Sequence, residues 1–521
     1  MRARSGLELS LRGRIGQHPD ETWLKFGTRH ISWSEALSNV HVAANGLLEL
    51  GVGPGSRVGL MMANRPEFAW LYLGSVFIGA QIVPFNTSQR GATLSYLLAD
   101  SDVSVVVAEN ALAPLVMEAE DRCPRLEHVV VMDSGPRGGS ERSFEQLMSG
   151  PDTEPDVDLE VASGGIAMLY TSGTTGPPKG VVSLAPDFSS IMALSKPLEV
   201  APGETVYSCW PFFHGSGLIG GLVTSILTDT RLAVAPRFSA SRFWDDVRAA
   251  EAVNFTMIGG TASILLKQPP TPADRDHSVR TVLSAGMPAD KWEIFEKRFG
   301  VRVVEYWGTS DSPGFLLNDE GRIGSVGRPV GEVEFAVVDD TDERLGPGEV
   351  GELLMKHPRG QLTEYYHQPE ATAKAYRGGW FHTGDLFETD EEGYFYYRGR
   401  KTQSIRRLGE NISAWEIETV LGGHPDILEC AAFGVPSEVG EDDVMVVLVR
   451  RPGARIGVAA VADFCVGRIA PYAIPRYVEF ADSIPKTPSQ RPQYLTLRAR
   501  GITEATWDRA EAAGQAGAKG E

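Results

Sequence analysis

Short runs rich in valine and isoleucine recur along the first part of the chain, each separated from the next by a stretch of helical length. VGLMM, QIVPF, VSVVVAE, HVVVMD and IAMLYTS are followed by RLAVAP, NFTMIGG, VRTVLSAG and VRVVEYWG, with helices expected around FWDDVRAAEA and KWEIFEKRFG. Runs this uniformly apolar have no polar face to show to water, so they read as strands of parallel sheets with helices on both faces. The fold class is α/β, and 521 residues are too many for one core. After about residue 330 the texture shifts to shorter strands and Gly/Pro turns (EFAVVDD, LGPGEVGELLMK, GYFYYRGR), the mark of a small β-rich subdomain. Past Arg400 comes a compact α+β unit, with WEIETVLGG and VADFCVGRIA as helices and ECAAFGVP and VMVVLVR as strands. The boundary is placed near Arg400 and Lys401, giving domains 1–399 and 400–521. DSGPRGGSERS reads as a surface loop and the final AEAAGQAGAKGE as a frayed helix end.

Formal charge is −19, spread along the chain. That balance repels phosphodiester backbones and anionic lipid, which excludes nucleic acid and membrane surfaces as partners. An anionic ligand must then be gripped by a local site. Cys123, Cys209, Cys430 and Cys465 lie far apart with no paired spacing, which yields neither a zinc site nor a disulfide framework and fits a reducing cytoplasm. The basic N-terminus lacks the apolar stretch and small-residue cleavage site of a signal peptide. Phe68 to Gln89 carries no charge, but FAWLYLGSVFIGA falls short of the roughly 20 residues a membrane span needs. A buried helix followed by the strand QIVPFN is expected instead.

The most informative stretch is YTSGTTGPPKG, Tyr170 to Gly180. It follows a β-rich run, so the backbone amides and hydroxyls of Thr171, Ser172, Gly173, Thr174, Thr175 and Gly176 can surround a phosphate that bulky residues would exclude. Lys179 adds a positive charge. Gly/Ser/Thr/Pro clusters usually mark only a polar turn, yet chance rarely supplies eleven residues in this order. The spacing is not that of a Walker loop.

The segment resembles the phosphate-binding loop of the adenylate-forming superfamily, which comprises acyl-CoA synthetases, adenylation domains of peptide synthetases and firefly-type luciferases. Further blocks match in that superfamily's order. WPFFHGSG, with Trp210, Phe213 and His214, resembles its acyl-pocket block, and LSAGMP, with Ser284, Ala285 and Gly286, its backbone shelf for adenine. YWGTSDS resembles the aromatic-Gly-x-Thr-Glu block. The resemblance implies that Glu305, Tyr306, Trp307, Gly308, Thr309 and Ser310 flank the nucleotide, with Trp307 stacking on adenine, Ser310 contacting phosphate and Asp311 reaching Mg²⁺. GWFHTGD resembles the ribose-binding block, with Asp385 on the hydroxyls. RGRKTQSIRRLGENISAWEIE resembles the hinge and the loop after it, with Lys401 as hinge, Arg400 and Arg406 as nucleotide contacts, and a mobile C-terminal domain. The texture is nearest to crotonobetaine/carnitine–CoA ligase-like proteins. ATP or AMP, Mg²⁺ and coenzyme A are the implied cofactors.

Each residue also has a blander reading. A lone Trp beside a strand is more often core packing than an adenine platform, and Asp385 in a Thr-Gly-Asp turn resembles any helix N-cap. His214 alone would be a structural histidine, and Arg400, Arg406 and Arg407 a solvated face. What favours chemistry is their joint order.

The implied reaction has two halves. A carboxylate attacks the α-phosphorus of ATP, and a thiol then attacks the resulting acyl-AMP. Lys179, the loop amides and Asp311 suit the charge that gathers on phosphate in the first half. Three positions depart from the family pattern. In IPKTPSQRPQY, Arg491 stands where the adenylation lysine belongs; arginine keeps the charge without the compact ammonium. Leu408 replaces a frequent glycine, and Trp307 with Asp311 replaces Tyr and Glu. Three readings follow: a ligase in which Arg491 or Lys486 compensates, a thioester-only ligase fed acyl-AMP by a separate adenylating enzyme, or a non-catalytic nucleotide- or CoA-binding protein. Gly259, Gly260 and Gly314, near Trp210, Phe212 and Phe213, are expected to leave room for a bulky apolar acid.

Overall fold

The computed structural model describes residues 6–87, 89, 91–133, 141–159, 167–171, 178–184, 188–401, 404–407, 410–437, 442–469, 471–487 and 492–511. The described residues form two compact units. One is built from the chain up to Thr171, Pro178–Phe335 and Met355–Phe381, the other from Ala336–Leu354 and the chain from His382 onward.

The expected parallel sheets are present in the first unit. Strands Gln81–Pro84, Arg57–Met61, Val105–Glu109, His128–Met132 and Glu141–Ser143 lie side by side in that order, all parallel. Alternation along Val105–Glu109 explains the all-apolar sequence. Val105 and Val107 face the core under helices Trp33–Glu49 and Pro66–Phe77, while Val106 and Ala108 face Leu94, Leu97 and Val116 on the other side. The uncharged run beginning at Phe68 is a wholly buried helix that breaks before the strand Gln81–Pro84, as expected. Among the described residues no helix is long and apolar enough to cross a membrane.

A second sheet of nine strands carries the functional loops. Its central strands, Arg302–Trp307, Thr281–Ala285, Ala252–Ile258, Thr205–Ser208, Arg231–Val234 and Thr22–Phe26, are adjacent in that order and parallel. IAMLYTS departs from expectation. Leu169–Thr171 pairs antiparallel with Lys179–Ser183, because the short connection between them cannot make the long crossover that a parallel pair requires. Thr363–Tyr365 adds antiparallel to the other edge of Lys179–Ser183.

In the second unit, Ile427–Pro436, Asp442–Arg450, Tyr477–Phe480 and Trp507–Asp508 form a mixed sheet. Val444, Val446 and Leu448 pack toward helices Ala414–Gly422 and Val458–Cys465; Met445 and Val447 pack toward Tyr494 and Leu497. The helix expected through VADFCVGRIA ends at Cys465, ahead of Gly467 at φ +71°. The expected loop DSGPRGGSERS contributes the strand Glu141–Ser143, residues 134–140 and the terminal 512–521 lying outside the described residues.

Candidate active site

Four of the sequence blocks leave the C-terminal ends of four neighbouring parallel strands. WPFFHG follows Thr205–Ser208, Gly259 follows Ala252–Ile258, Ser284-Ala285-Gly286 closes Thr281–Ala285, and Trp307-Gly308-Thr309 closes Arg302–Trp307. Open α/β sheets bind ligands at this edge.

The shelf is held from behind. Gly286 is exposed at φ +88°, a left-handed conformation that suits glycine. Glu305, paired in register with Ser284 on the next strand, is 2% exposed, and its Oε1 accepts the N–H of Gly286 and that of Met287, the latter at 3.1 Å. Burial pushes the Glu305 carboxyl up to about 8, opposed by Ser284 and the two backbone N–H groups. The structure thus spends the Glu305 and Ser284 side chains inward on the shelf, leaving the Gly286 backbone as its outer face.

Beyond Trp307, the missing Cβ of Gly308 is what lets the loop lie on Phe315, whose ring would be 2.4 Å from that atom. The turn that follows aims Asp311. Thr309 Oγ1 donates to Asp311 Oδ1 at 2.6 Å, and the Tyr365 hydroxyl donates to Oδ2 at 2.6 Å. The same Tyr365 presents its ring face to the Lys179 ammonium, 4.5 Å from the centroid. Lys179 opens its strand opposite Thr171. The residues flanking 172–177 are tied to helix Gly91–Asp100, through Tyr170 to Asp100 at 2.7 Å and Tyr96 to the Pro178 carbonyl at 3.1 Å. Ser172, Gly173, Thr174, Thr175 and Gly176 lie outside the described residues.

The aromatic block is pinned by Asn64, which sequence reasoning passed over. Its buried amide donates to the carbonyls of Trp210 (2.8 Å) and Ala235 (3.1 Å) and accepts the Phe212 N–H (2.8 Å). Trp210 commits its indole N–H to the Thr256 carbonyl at 2.8 Å, so the half-buried ring offers apolar surface only. Phe212 is core, packed on Phe68, whereas Phe213 and His214 are half-buried. Gly215 lies against Ser310, 3.8 Å from its would-be Cβ to Oγ. Gly314 does not open a pocket as expected: a Cβ there would strike Val333 at 2.8 Å, so its smallness serves packing. The backbones of Gly259 and Gly260 begin helix Gly259–Leu266.

In the second unit, Thr383-Gly384-Asp385 forms a turn within strand Trp380–Thr389, with Thr383 Oγ1 donating to the Leu353 carbonyl (2.8 Å) and accepting the Asp385 N–H (3.0 Å). Asp385 is buried and registered opposite the backbone of Arg400. Lys401 follows directly, its ammonium 3.1 Å from both Glu352 and Asp340. Arg407 is spent on an ion pair with Asp443 at 3.0 Å, and Lys486 on one with Glu429 at 2.7 Å. The Arg400 and Arg406 side chains, Leu408 and Arg491 lie outside the described residues.

This arrangement, a parallel sheet with a glycine shelf at its edge and Lys179 opening a strand of a neighbouring antiparallel sheet, is that of an adenylate-forming fold. The AMP-binding enzyme family matches residues 11–367, and its C-terminal domain matches residues 416–491. Crotonobetaine/carnitine–CoA ligase of Salmonella typhi is 30% identical over 488 residues, covering 90% of this chain and 94% of that protein. Among solved structures, anthranilate CoA ligase AuaEII in complex with anthranoyl-AMP aligns with TM-score 0.84 at 25% identity, over 96% of this chain and 98% of that one. ATP-bound MatB from Rhodopseudomonas palustris aligns with the same score and identity, over 96% and 99%. The chain therefore belongs to the AMP-binding enzymes, as an AMP-forming acid–CoA ligase working through an acyl-adenylate. These relatives favour the two-step ligase over the thioester-only and non-catalytic readings.

Proposed function

We propose that the enzyme converts a medium to large apolar carboxylic acid into its CoA thioester, using ATP, Mg²⁺ and coenzyme A. The observation that carries this reading is the delivery of four sequence blocks to one edge of four adjacent parallel strands. Gly286 and Ala285 support adenine with backbone, Trp307 stacks on it, and Asp385 accepts the ribose hydroxyls. Thr171 and the loop from Ser172 to Gly176 cradle the phosphates, with Lys179, Ser310, Arg400 and Arg406 adding donors. Asp311 is a fitting holder for Mg²⁺, a hard cation that takes one or two carboxylates plus substrate phosphate oxygens and neutralises their charge. Arg491 supplies the adenylation cation, and residues 400–521 turn about Lys401 to present coenzyme A, a hinge motion. Four free cysteines fit a cytoplasmic protein.

Trp210, Phe213 and His214 wall the acid site, and Trp210 offers it apolar ring surface because its N–H is committed to the Thr256 carbonyl. A panel of carboxylic acids assayed for CoA-dependent AMP release is expected to show alicyclic and aromatic acids ahead of acetate and dicarboxylates. A small or doubly charged acid turned over fastest would overturn the assignment.

Tyr365 belongs to this machinery as a positioning residue, because it aims Asp311 with its hydroxyl and Lys179 with its ring. Tyr365→Phe keeps the ring and loses a hydrogen bond to a charged group, worth about 1.5–3 kcal/mol. ATP–pyrophosphate exchange is expected to fall roughly tenfold and to need more Mg²⁺ for half-maximal rate. An unaltered Mg²⁺ titration would contradict that role.

A further inference from the structure

Glu352 stands apart from every residue assigned above, yet it touches two of the segments that carry those assignments. It lies on strand Gly351–Lys356 with its side chain 5% exposed. Oε1 accepts the Gly384 N–H at 3.0 Å, inside the turn that carries Asp385. Oε2 receives the Lys401 ammonium at 3.1 Å, with His382 Nδ1 at 3.6 Å. Burial works against the Glu352 charge, but His382, Lys401 and the Gly384 N–H outweigh it and hold the carboxyl down at about 2. Lys401 has a second partner, Asp340, also at 3.1 Å, whose side chain is 64% exposed.

From this geometry we infer that Glu352 is a positioning residue that couples the ribose turn to the hinge lysine. The inference rests on reading Asp385 as the ribose acceptor and Lys401 as the hinge. When backbone dihedrals change at Lys401, its Cα–Cβ bond changes direction, and the ammonium cannot keep both carboxylates. The pair must therefore release for the hinge to turn. Because the same carboxylate orients the Gly384 N–H, a nucleotide that settles the turn also settles the clamp. Such coupling is reciprocal: the hinge state feeds back on nucleotide affinity. The buried partner carries most of the effect, since an ion pair to an exposed Asp340 contributes little.

Endoproteinase Lys-C, which must take both the lysine ammonium and an opened backbone into its cleft, reads release of the clamp with the local opening it permits in the full-length protein. Cleavage after Lys401 is expected to be slow in the parent and slower with saturating AMP. In Glu352→Gln it should accelerate at least tenfold and lose its response to AMP, while Asp340→Asn changes it less than threefold. Parental cleavage in Glu352→Gln, or AMP protection by the parental factor, would overturn the coupling. Calorimetric titration of AMP into the parent and Asp385→Ala separates the two levels of the argument. Equal affinity in both would sink the ribose reading, whereas the Lys-C rates judge the clamp by themselves. Should Glu352→Gln fold poorly, Lys401→Met removes the other half of the pair, and deuterium exchange at the Gly384 amide becomes the readout. At least tenfold faster exchange is expected, and exchange at the parental rate would overturn the proposal.

Discussion

Glu305→Gln is expected to stabilise the first unit in alkaline solution by roughly 3–5 kcal/mol while changing little in acid. The Glu305 carboxyl is buried, and burial raises its pKa from 4.5 to about 8. The sign follows from linkage. A group raised on folding contributes its full stability below the unfolded value, near 4.5, and loses it as pH rises through about 8, because the unfolded chain releases a proton that the folded one retains. Glutamine keeps an oxygen for the Gly286 and Met287 N–H groups and has no proton to lose. Urea unfolding of parent and variant near pH 5 and near pH 9 checks this, since the difference between them cancels every other titrating group. Parallel pH profiles would show that Glu305 is ionised in the fold. The consequence for function lies in the shelf: ionising this carboxylate places a buried negative charge directly behind the Gly286 backbone.

What could be read in advance had a local physical signature. Val105 to Ala108 announces a strand buried on both faces, because no residue in it tolerates water on either side. The shelf and the Trp307 block were legible through their resemblance to the superfamily's motifs. The structure adds a physical reason for glycine at two of those positions, a left-handed φ at Gly286 and a close approach of Gly308 to Phe315. The residues that escaped act through tertiary proximity. Tyr365 reaches Asp311 only because Thr363–Tyr365 joins the edge of Lys179–Ser183, a pairing far apart in sequence. Asn64 comes three residues after the end of a buried strand, and an isolated amide there was the available signal that something distant needed pinning. Gly314 failed for the opposite reason. A small residue is consistent with an open pocket or with a neighbour that fills the space, and here Val333 fills it. Glu352 gave no sign, since Gly384 and Lys401 reach it from far along the chain.

Arg491→Ala is expected to lower ATP–pyrophosphate exchange about a hundredfold while leaving conversion of preformed acyl-AMP to acyl-CoA within about threefold of the parent. The expectation starts from the proposed reading of IPKTPSQRPQY, in which resemblance to the superfamily sets Arg491 at the position of its adenylation lysine. A cation bridging the acid carboxylate and the α-phosphate acts only while charge gathers on phosphate, and losing one well-aimed donor of that kind costs about 3 kcal/mol. Thioester formation begins after pyrophosphate has left, so it does not call on this residue. Lys486 is the nearest alternative along the chain, but its ammonium is held by Glu429 at 2.7 Å. Arg491→Lys therefore separates charge from shape: recovery of exchange toward the parental rate means that the site asks only for a cation within reach. Persistent loss with lysine means that the flanking Pro492 and the planar guanidinium are matched to each other, since an ammonium makes point contacts where a guanidinium makes paired ones. Parental exchange in Arg491→Ala would remove Arg491 from the mechanism and return the role to Lys486, which Lys486→Ala would then reveal as a selective loss of the first half-reaction.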